Sequence, residues 1–206
     1  MNLSLMRPLT AGFLLVTLAA CNGGSSQPEI DLQGVLDVTL DSLMEMEGAT
    51  SDRGTAADVA ATGAEAGPDD TVELLLGFTG VLQDNYNARE PALHEDAITV
   101  APQQDASFLA LADANDNGQP DEGEDALWLI EIDGENARIV ATDRSGAVSQ
   151  SGFSGTSLLA GYFLARMLTR QRGAGVNTRA LAGKRPVSAS QAARARAGSG
   201  SFSRGK

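Results

Sequence analysis

The apolar residues between positions 30 and 47 recur every three or four residues, which is the period of an amphipathic α-helix. The predicted apolar stripe consists of Leu32, Val35, Leu36, Leu40, Leu43 and Met44. A similar pattern predicts a second helix from Thr71 to Tyr86, with Asp70 as its N-cap. The third predicted helix, Ser157–Leu168, is apolar on nearly every side.

Strand signals are concentrated between positions 107 and 148. A short apolar run covers Phe108–Ala112. In the later run Leu127–Ile132, every second residue is large and apolar, which is the period of a half-buried strand. The sequence Asp-Gly-Glu-Asn at 133–136 predicts a turn, and Ala137–Thr142 then returns as the hairpin partner. These elements predict an α+β fold: a small domain with a β-hairpin-centred sheet and two to three helices, flanked by disordered segments.

Composition sets the expected boundaries of this domain. Residues 48–70 are rich in Ala, Gly, Thr and Asp and predict a mobile linker. Beyond Gly173 the chain has little apolar surface to bury, so a basic disordered tail is expected over 173–206. The packed part is therefore expected to be one small acidic domain over 30–172, preceded by a tether at 21–29.

The first 20 residues are typical of a secretory signal, with Arg7 placed before a short apolar run. The run ends in Leu18-Ala19-Ala20-Cys21, which resembles the lipobox of bacterial lipoprotein precursors. That resemblance implies cleavage before Cys21 and attachment of diacylglyceryl and acyl groups, palmitate among them, to the new N-terminal cysteine. Because Asn22 follows, analogy with enteric lipoproteins implies a membrane-anchored protein on the outer membrane, facing the periplasm. The alternative is an ordinary signal peptide or a soluble helix.

Charge divides the chain sharply. The 27 acidic residues all lie between Cys21 and Asp143, together with three basic ones, for a balance of −24. From Arg144 to Lys206 there are 11 basic residues and no acidic one, and Arg7 brings the total to the formal net charge of −12. This asymmetry predicts an acidic body with a basic tail.

The basic residues after position 169 are candidates for binding anionic lipid, lipopolysaccharide or the cell wall. They are Arg170, Arg172, Arg179, Lys184, Arg185, Arg194 and Arg196. The alternative is a tail that stays solvated or folds back on the acidic body. Nucleic acid is not an expected partner, because export would separate the protein from it.

One segment has the composition of a metal site. Its oxygen-bearing residues are spaced as in an EF-hand calcium loop, with Gly118 at the position that needs a sharp turn. The candidate ligands are Asp113, Asn115, Asn117, Gln119 through its carbonyl, Asp121 and Glu124. Pro120 departs from the EF-hand pattern because it lacks the amide that pairs two such loops. The segment equally resembles the calcium loops of integrin-type propeller blades.

Calcium binding at this loop is expected to be weak, about 10⁻⁴ to 10⁻³ M, as in extracellular modules. Its expected role is to brace the hairpin. The alternative is a solvated acidic turn, for which Asp, Asn, Gly and Pro are also the usual residues.

Residues for catalysis are scarce. His94 is the chain's single histidine, Cys21 is its single cysteine, and no Gly-x-Ser-x-Gly motif occurs. We therefore expect a non-catalytic envelope lipoprotein with a structural or interaction role. The alternatives are a calcium-dependent binding module whose loop contacts the ligand, or an accessory subunit of an export or assembly machine. The segment 157–168 is expected to be a core helix, with membrane contact or self-association as alternatives.

Overall fold

Five antiparallel strands form one sheet in the computed structural model of this chain, which describes residues 29–50, 68–153 and 161–199. Strands that follow one another in the chain are neighbours in the sheet, in the order β1-β2-β3-β4-β5. The strands are β1 (Ile98–Pro102), β2 (Phe108–Ala112), β3 (Ala126–Asp133), β4 (Arg138–Asp143) and β5 (Val148–Gly152). The predicted hairpin is the β3–β4 pair, in which Ile132 lies opposite Ile139.

Five helices accompany the sheet within the described residues. They are α1 (Leu32–Thr50), α2 (Pro68–Ala88), α3 (Tyr162–Gly173), α4 (Thr178–Gly183) and α5 (Ala189–Ser199). The α+β class is therefore confirmed, with more helices than the two to three expected.

The core lies between one face of the sheet and helices α1, α2 and α3. Phe78 of α2 contacts Phe108 of β2 and Phe163 of α3, each at 4.9 Å between ring centroids. On the same face, the ring of Tyr86 meets the ring of Trp128 edge-on at 5.2 Å. Burying side chains of this size contributes about 1.5–3 kcal/mol each. The three helices are thereby held to the central strands.

Helix α1 buries four of the six residues of the predicted stripe, Leu32, Val35, Leu36 and Leu43, but not the other two. Met44 is 50% exposed and Leu40 only partly buried, whereas Thr39 and Ser42 are fully buried. Their hydroxyls donate to the carbonyls four residues earlier, and the Thr39 hydroxyl also shares a hydrogen bond of 2.7 Å with the Tyr86 hydroxyl. Burial of these polar groups is tolerated because each one is hydrogen-bonded.

The mobile linker predicted over 48–70 is wrong at both ends, because helices occupy residues 48–50 and 68–70. Helix α1 continues to Thr50, and α2 already begins at Pro68, so Asp70 lies in the first turn and is not the N-cap. Proline suits this first turn because its fixed φ matches the helix and its missing N–H would have no helical partner. Residues 51–67 lie outside the described part of the chain.

The sequence pattern did not predict the two edge strands. Strand β1 is at one edge, and α2 satisfies its outward peptide groups: Asn87 exchanges two hydrogen bonds of 2.8 Å with Ile98, and Gln83 accepts from the Val100 amide. Strand β5 contains serine, glutamine and glycine, and it is ordered by pairing with β4. Residues 151 and 152 therefore belong to this strand.

Helix α3 is held by a carboxylate from α1. Glu47 accepts a hydrogen bond of 2.7 Å from the Leu164 amide, while the N-cap residue Gly161 offers no side-chain cap of its own. A Cβ at position 161 would overlap the Glu47 carboxylate, so a larger residue there would displace that side chain from its contact with α3. Burial raises the pKa of Glu47, although hydrogen bonds from the Leu164 and Phe163 amides counteract that effect. Residues 157–160 of the predicted helix lie outside the described residues.

Between residues 174 and 199 the chain departs from the expected disorder, and residues 200–206 of the predicted tail lie outside the described residues. Residues 174–199, here called the C-terminal strap, contain α4 and α5 and lie against the sheet. Val187 exchanges backbone hydrogen bonds of 2.8 and 2.9 Å with Val148, which extends the β5 edge by one residue pair. Composition alone did not predict the order of this segment, because the strap has few apolar residues and is held chiefly by polar contacts with strands.

Arg138 is the centre of those contacts. Its side chain is 11% exposed, and its Nε donates to Asp133 at 2.8 Å. The guanidinium also donates to the carbonyls of Leu181, Ala182 and Lys184 at 2.8, 3.1 and 3.2 Å and to the side chain of Gln150. These carbonyls lie at the C-terminal end of α4, where the helix dipole favours a positive charge. One arginine of β4 thus joins β3, β4 and β5 to the strap.

We predict that Arg138→Met lowers the free energy of unfolding by about 3–5 kcal/mol, because it leaves the buried Asp133 carboxylate without its cation. It should also expose residues 174–199 to limited proteolysis. Urea denaturation and protease mapping measure the two effects. The matched control is Arg144→Gln, which removes a more exposed ion pair of 3.8 Å with Asp125 and should cost less than about 1 kcal/mol. Equal effects of the two substitutions would contradict the role given to Arg138.

Candidate functional site

The predicted calcium loop connects β2 to β3 and lies beside α2. Its base is closed by backbone hydrogen bonds from Ala112 to Asp125 and from Asp113 to Ala97, at 3.0 and 2.9 Å. The side chain of Gln83, which also contacts β1, donates to the Gly118 carbonyl at 3.3 Å. The loop is therefore attached to both the sheet and a helix.

The first half of the loop is organised around Asp113, which is 5% exposed. Its two carboxylate oxygens accept from the amides of Asn117 and Gly118 at 3.1 and 2.8 Å. Asn115 also accepts from the Asn117 amide, in an Asx turn. Gly118 has a φ of 71°, a left-handed conformation that glycine adopts without steric cost. These contacts give the turn that the spacing predicted.

Asp121 gathers the two asparagine side chains. Its Oδ2 accepts from the carboxamides of Asn115 and Asn117 at 2.9 and 2.7 Å. These hydrogen bonds, that of Asn115 first, lower the pKa of Asp121. Gln119 enters the same cluster through its backbone amide, which donates to the Asn117 side-chain oxygen at 2.6 Å. With Asp113, which accepts from the Asn117 amide, five of the six predicted ligands are thus linked by hydrogen bonds.

Glu124 closes the loop from its far end. Its Oε2 accepts from the Asp121 amide at 3.1 Å and from the Thr99 hydroxyl at 3.4 Å. Its Oε1 is buried and has no hydrogen-bond partner among the described residues. An unpaired, buried carboxylate oxygen is costly, and a cation is one group that would satisfy it.

The residues fit calcium in chemistry more clearly than in arrangement. Across the described ranges, the structure contains no group of three or more His, Cys, Asp or Glu side chains placed to hold a metal ion. The loop nevertheless offers carboxylate, carboxamide and carbonyl oxygens, which are the ligands of calcium. Each carboxylate oxygen has a second lone pair, so the amide contacts of Asp113 leave room for a metal. Rotating a carboxamide exchanges its nitrogen and oxygen, so Asn115 and Asn117 can present oxygen to an ion.

The candidate anion-binding residues divide by environment. Lys184 is half-buried and forms an ion pair with Glu131 on β3, so its charge is matched by the sheet. Arg170 is half-buried at the end of α3. The remaining candidates are exposed, and they are Arg172, Arg179, Arg185, Arg194 and Arg196.

The structure describes part of the predicted helix 157–168 but not the predicted lipidation site. In its described part, Phe163, Leu164 and Met167 are buried in the domain's core. No helix in the described residues is both long enough and apolar enough to cross a bilayer. Cys21 lies outside the described residues, so its lipidation stays a prediction.

Sequence reasoning missed Arg138 as a functional residue of the fold. A signal for it was present, because Arg138 is one of only three basic residues between Cys21 and Asp143. It stands directly after the predicted turn that begins at Asp133, and such a position places opposite charges across a hairpin.

We predict that Asn117→Leu raises the pKa of Asp121 back toward its ordinary value, because it removes a donor to the ionised carboxylate. A depressed folded-state pKa stabilises the fold above the unfolded pKa and loses that contribution as pH falls through the folded value. The stabilisation at pH values above the unfolded-state pKa should therefore shrink in the variant, whereas the two proteins should be equally stable at pH values below the folded-state pKa. Carboxyl NMR titration measures the pKa, with Asn136→Leu as a control outside the loop. An unchanged Asp121 pKa would contradict the hydrogen bonding described.

No family model matches this chain, and the searches of curated proteins and of solved structures found no significant relative either.

Proposed function

We propose that this protein is a non-catalytic cell-envelope lipoprotein with a structural or interaction role. In this proposal Cys21 carries the lipid that holds it at the outer membrane, facing the periplasm. The loop 113–124 binds calcium weakly and braces the sheet, and the arginines of the strap contact an anionic partner. The single observation that supports the calcium role best is the buried Glu124 oxygen without a partner.

Calcium would act here by neutralising charge. Six carboxylates fall between positions 113 and 125, and one of them, Asp125, forms an ion pair of 3.8 Å with Arg144. A divalent ion held by Asp113, Asn115, Asn117, the Gln119 carbonyl, Asp121 and Glu124 would offset this repulsion. Because Glu124 contacts Thr99 of β1, the same ion would strengthen the link between the loop and the sheet edge.

A second candidate function is calcium-dependent binding in which the loop itself contacts the ligand. Its support is exposure, since Asn115, Asn117, Gln119 and Asp121 all face solvent. The two candidate functions should respond differently to salt and to a chelator. Binding through the arginines should weaken with salt and survive a chelator, whereas binding through the loop should vanish with chelator and with Asp113→Ala. An accessory role in an export or assembly machine would fit either mode.

We predict saturable calcium binding to residues 22–206 by calorimetry, with a dissociation constant of about 10⁻⁴ to 10⁻³ M. At tenfold excess over that constant, calcium should stabilise the fold by about 1.4 kcal/mol and raise the melting temperature. Glu124→Ala should abolish both effects. The matched control is Glu122→Ala, which removes an exposed neighbouring charge outside the ligand set. Absence of heat up to millimolar calcium would leave the loop as an acidic turn.

We predict that Cys21→Ser prevents incorporation of labelled palmitate and moves the protein from the membrane fraction to the soluble periplasmic fraction. The reason is that each buried methylene of an acyl chain contributes about 0.8 kcal/mol to anchoring. Cell fractionation with metabolic labelling measures both effects, and Ser25→Ala serves as the control. Retention of the label in Cys21→Ser would refute the lipobox assignment.

A further inference from the structure

The loop between β2 and β3 contains an asparagine followed by glycine, Asn117-Gly118. Among the six asparagines of the described residues, Asn117 is the one with this neighbour. An asparagine carboxamide can react with the backbone nitrogen of the next residue, because the two atoms close a five-membered ring. A β-carbon on that next residue hinders the approach, and glycine has none. The sequence therefore makes Asn117 the least hindered of these asparagines.

The pair is also accessible in the folded protein. The Asn117 side chain is exposed. Apart from the adjacent residues, no atom lies within 4 Å of the place where a Cβ on Gly118 would stand. Water can therefore reach the peptide that joins the two residues, and no packed neighbour prevents the side chain from moving over it.

An Asx turn holds the Asn117 carboxamide over this peptide. Its Oδ1 accepts from the Gln119 amide at 2.6 Å, and the hydrogen-bonded ring contains both the carboxamide carbon and the Gly118 nitrogen. Holding two reacting groups together removes much of the entropic cost of their encounter. The Gln119 N–H also points at the oxygen on which negative charge would develop during attack, and such a donor stabilises that charge.

Two carboxylates contact the nitrogen atoms of the same pair. Asp113 accepts from the Gly118 amide at 2.8 Å, and so draws the proton away from the nitrogen that would attack. Asp121 accepts from the Asn117 carboxamide nitrogen at 2.7 Å. These partners fix the orientation of the carboxamide, because its nitrogen must face a carboxylate while its oxygen faces an N–H.

We propose that Asn117 is a site of spontaneous deamidation, at which water replaces the side-chain nitrogen and the loop gains a carboxylate. The Gly118 nitrogen forms a bond to the Asn117 carboxamide carbon, the bond from that carbon to Nδ2 breaks, and the displaced nitrogen leaves as ammonia with the proton that Gly118 loses. Water then opens the cyclic imide at one of its two carbonyls, which gives aspartate or isoaspartate. One water is consumed and one ammonia released, without an oxidant or a reductant.

Conversion to aspartate would change how the loop responds to calcium, and this consequence rests on the proposed function. Without an ion, a carboxylate at position 117 would repel Asp121 and could no longer donate a hydrogen bond to it. With calcium bound, the same carboxylate would replace a neutral ligand by a charged one, and affinity rises with ligand charge. The converted loop is therefore less stable alone and binds the ion more tightly.

The first test incubates residues 22–206 at neutral pH without calcium. Peptide mapping by mass spectrometry locates each converted asparagine, and fragmentation separates aspartate from isoaspartate. We expect Asn117 to convert before the other described asparagines. In urea, which removes the Asx turn, its conversion should be slower by about threefold or more. Faster conversion in urea, or earlier conversion at Asn115 or Asn136, would overturn the assignment.

The matched variant is Gly118→Asn, because asparagine tolerates the φ of 71° and has room for its side chain there. It should slow conversion of Asn117 by about tenfold or more, since the new β-carbon crowds the attacking nitrogen. Circular dichroism confirms that the variant is folded. An unchanged rate would show that the Gly118 nitrogen is not the attacking group.

The second test compares calcium binding of Asn117→Asp with that of the unmodified chain by calorimetry. We expect the dissociation constant to fall about tenfold. The control is Asn136→Asp, which adds the same charge outside the loop and should change the constant by less than about twofold. Equal constants for Asn117→Asp and the unmodified chain would overturn the stated consequence. Absence of calcium binding in every variant would instead refute the proposed function and leave the mass-spectrometric result standing.

Discussion

The buried contact between Arg138 and the end of α4 determines how this chain is organised. Without this contact, the sheet would still have the aromatic core between Phe78, Phe108 and Trp128 on one face. On the other face, the ion pair of Arg138 with Asp133 would be exposed to water instead of buried. The arginine neutralises Asp133 and at the same time binds three strap carbonyls. A polar contact therefore attaches the basic half of the chain to the sheet, whereas apolar burial holds the acidic half together.

The acidic and basic halves meet through matched charges rather than remaining separate. Lys184 pairs with Glu131 and Arg144 pairs with Asp125, so each ion pair joins a residue of the basic half to a carboxylate of the acidic half. The strap thereby folds back on the acidic body, as one of the alternatives held.

Prediction from the sequence succeeded where burial produced a regular period. Strand β2 has the bounds that its apolar run indicated, and the alternation around Ile130 located β3. It failed where long-range contacts decide the structure. Thr39 is buried because Tyr86 supplies a hydrogen-bond partner 47 residues away, and β5 is a strand because β4 pairs with it. The loop spacing predicted the Asp113 turn, but it did not reveal the unpaired Glu124 oxygen, which depends on the surrounding packing.

Arg138 and its carbonyl partners also impose an order on assembly. The five strands are complete at Gly152, whereas the carbonyls that bind the guanidinium come 43 to 46 residues after Arg138. The hydrogen bond of Glu47 spans a longer stretch of chain, because the Leu164 amide that donates to it lies 117 residues later. Contacts of such separation slow folding, because the closing of a long loop precedes any gain from it. A nascent chain that ends before α4 would therefore contain the complete sheet, but Arg138 would lack its carbonyl partners. The domain is complete only when the last quarter of the chain has been synthesised.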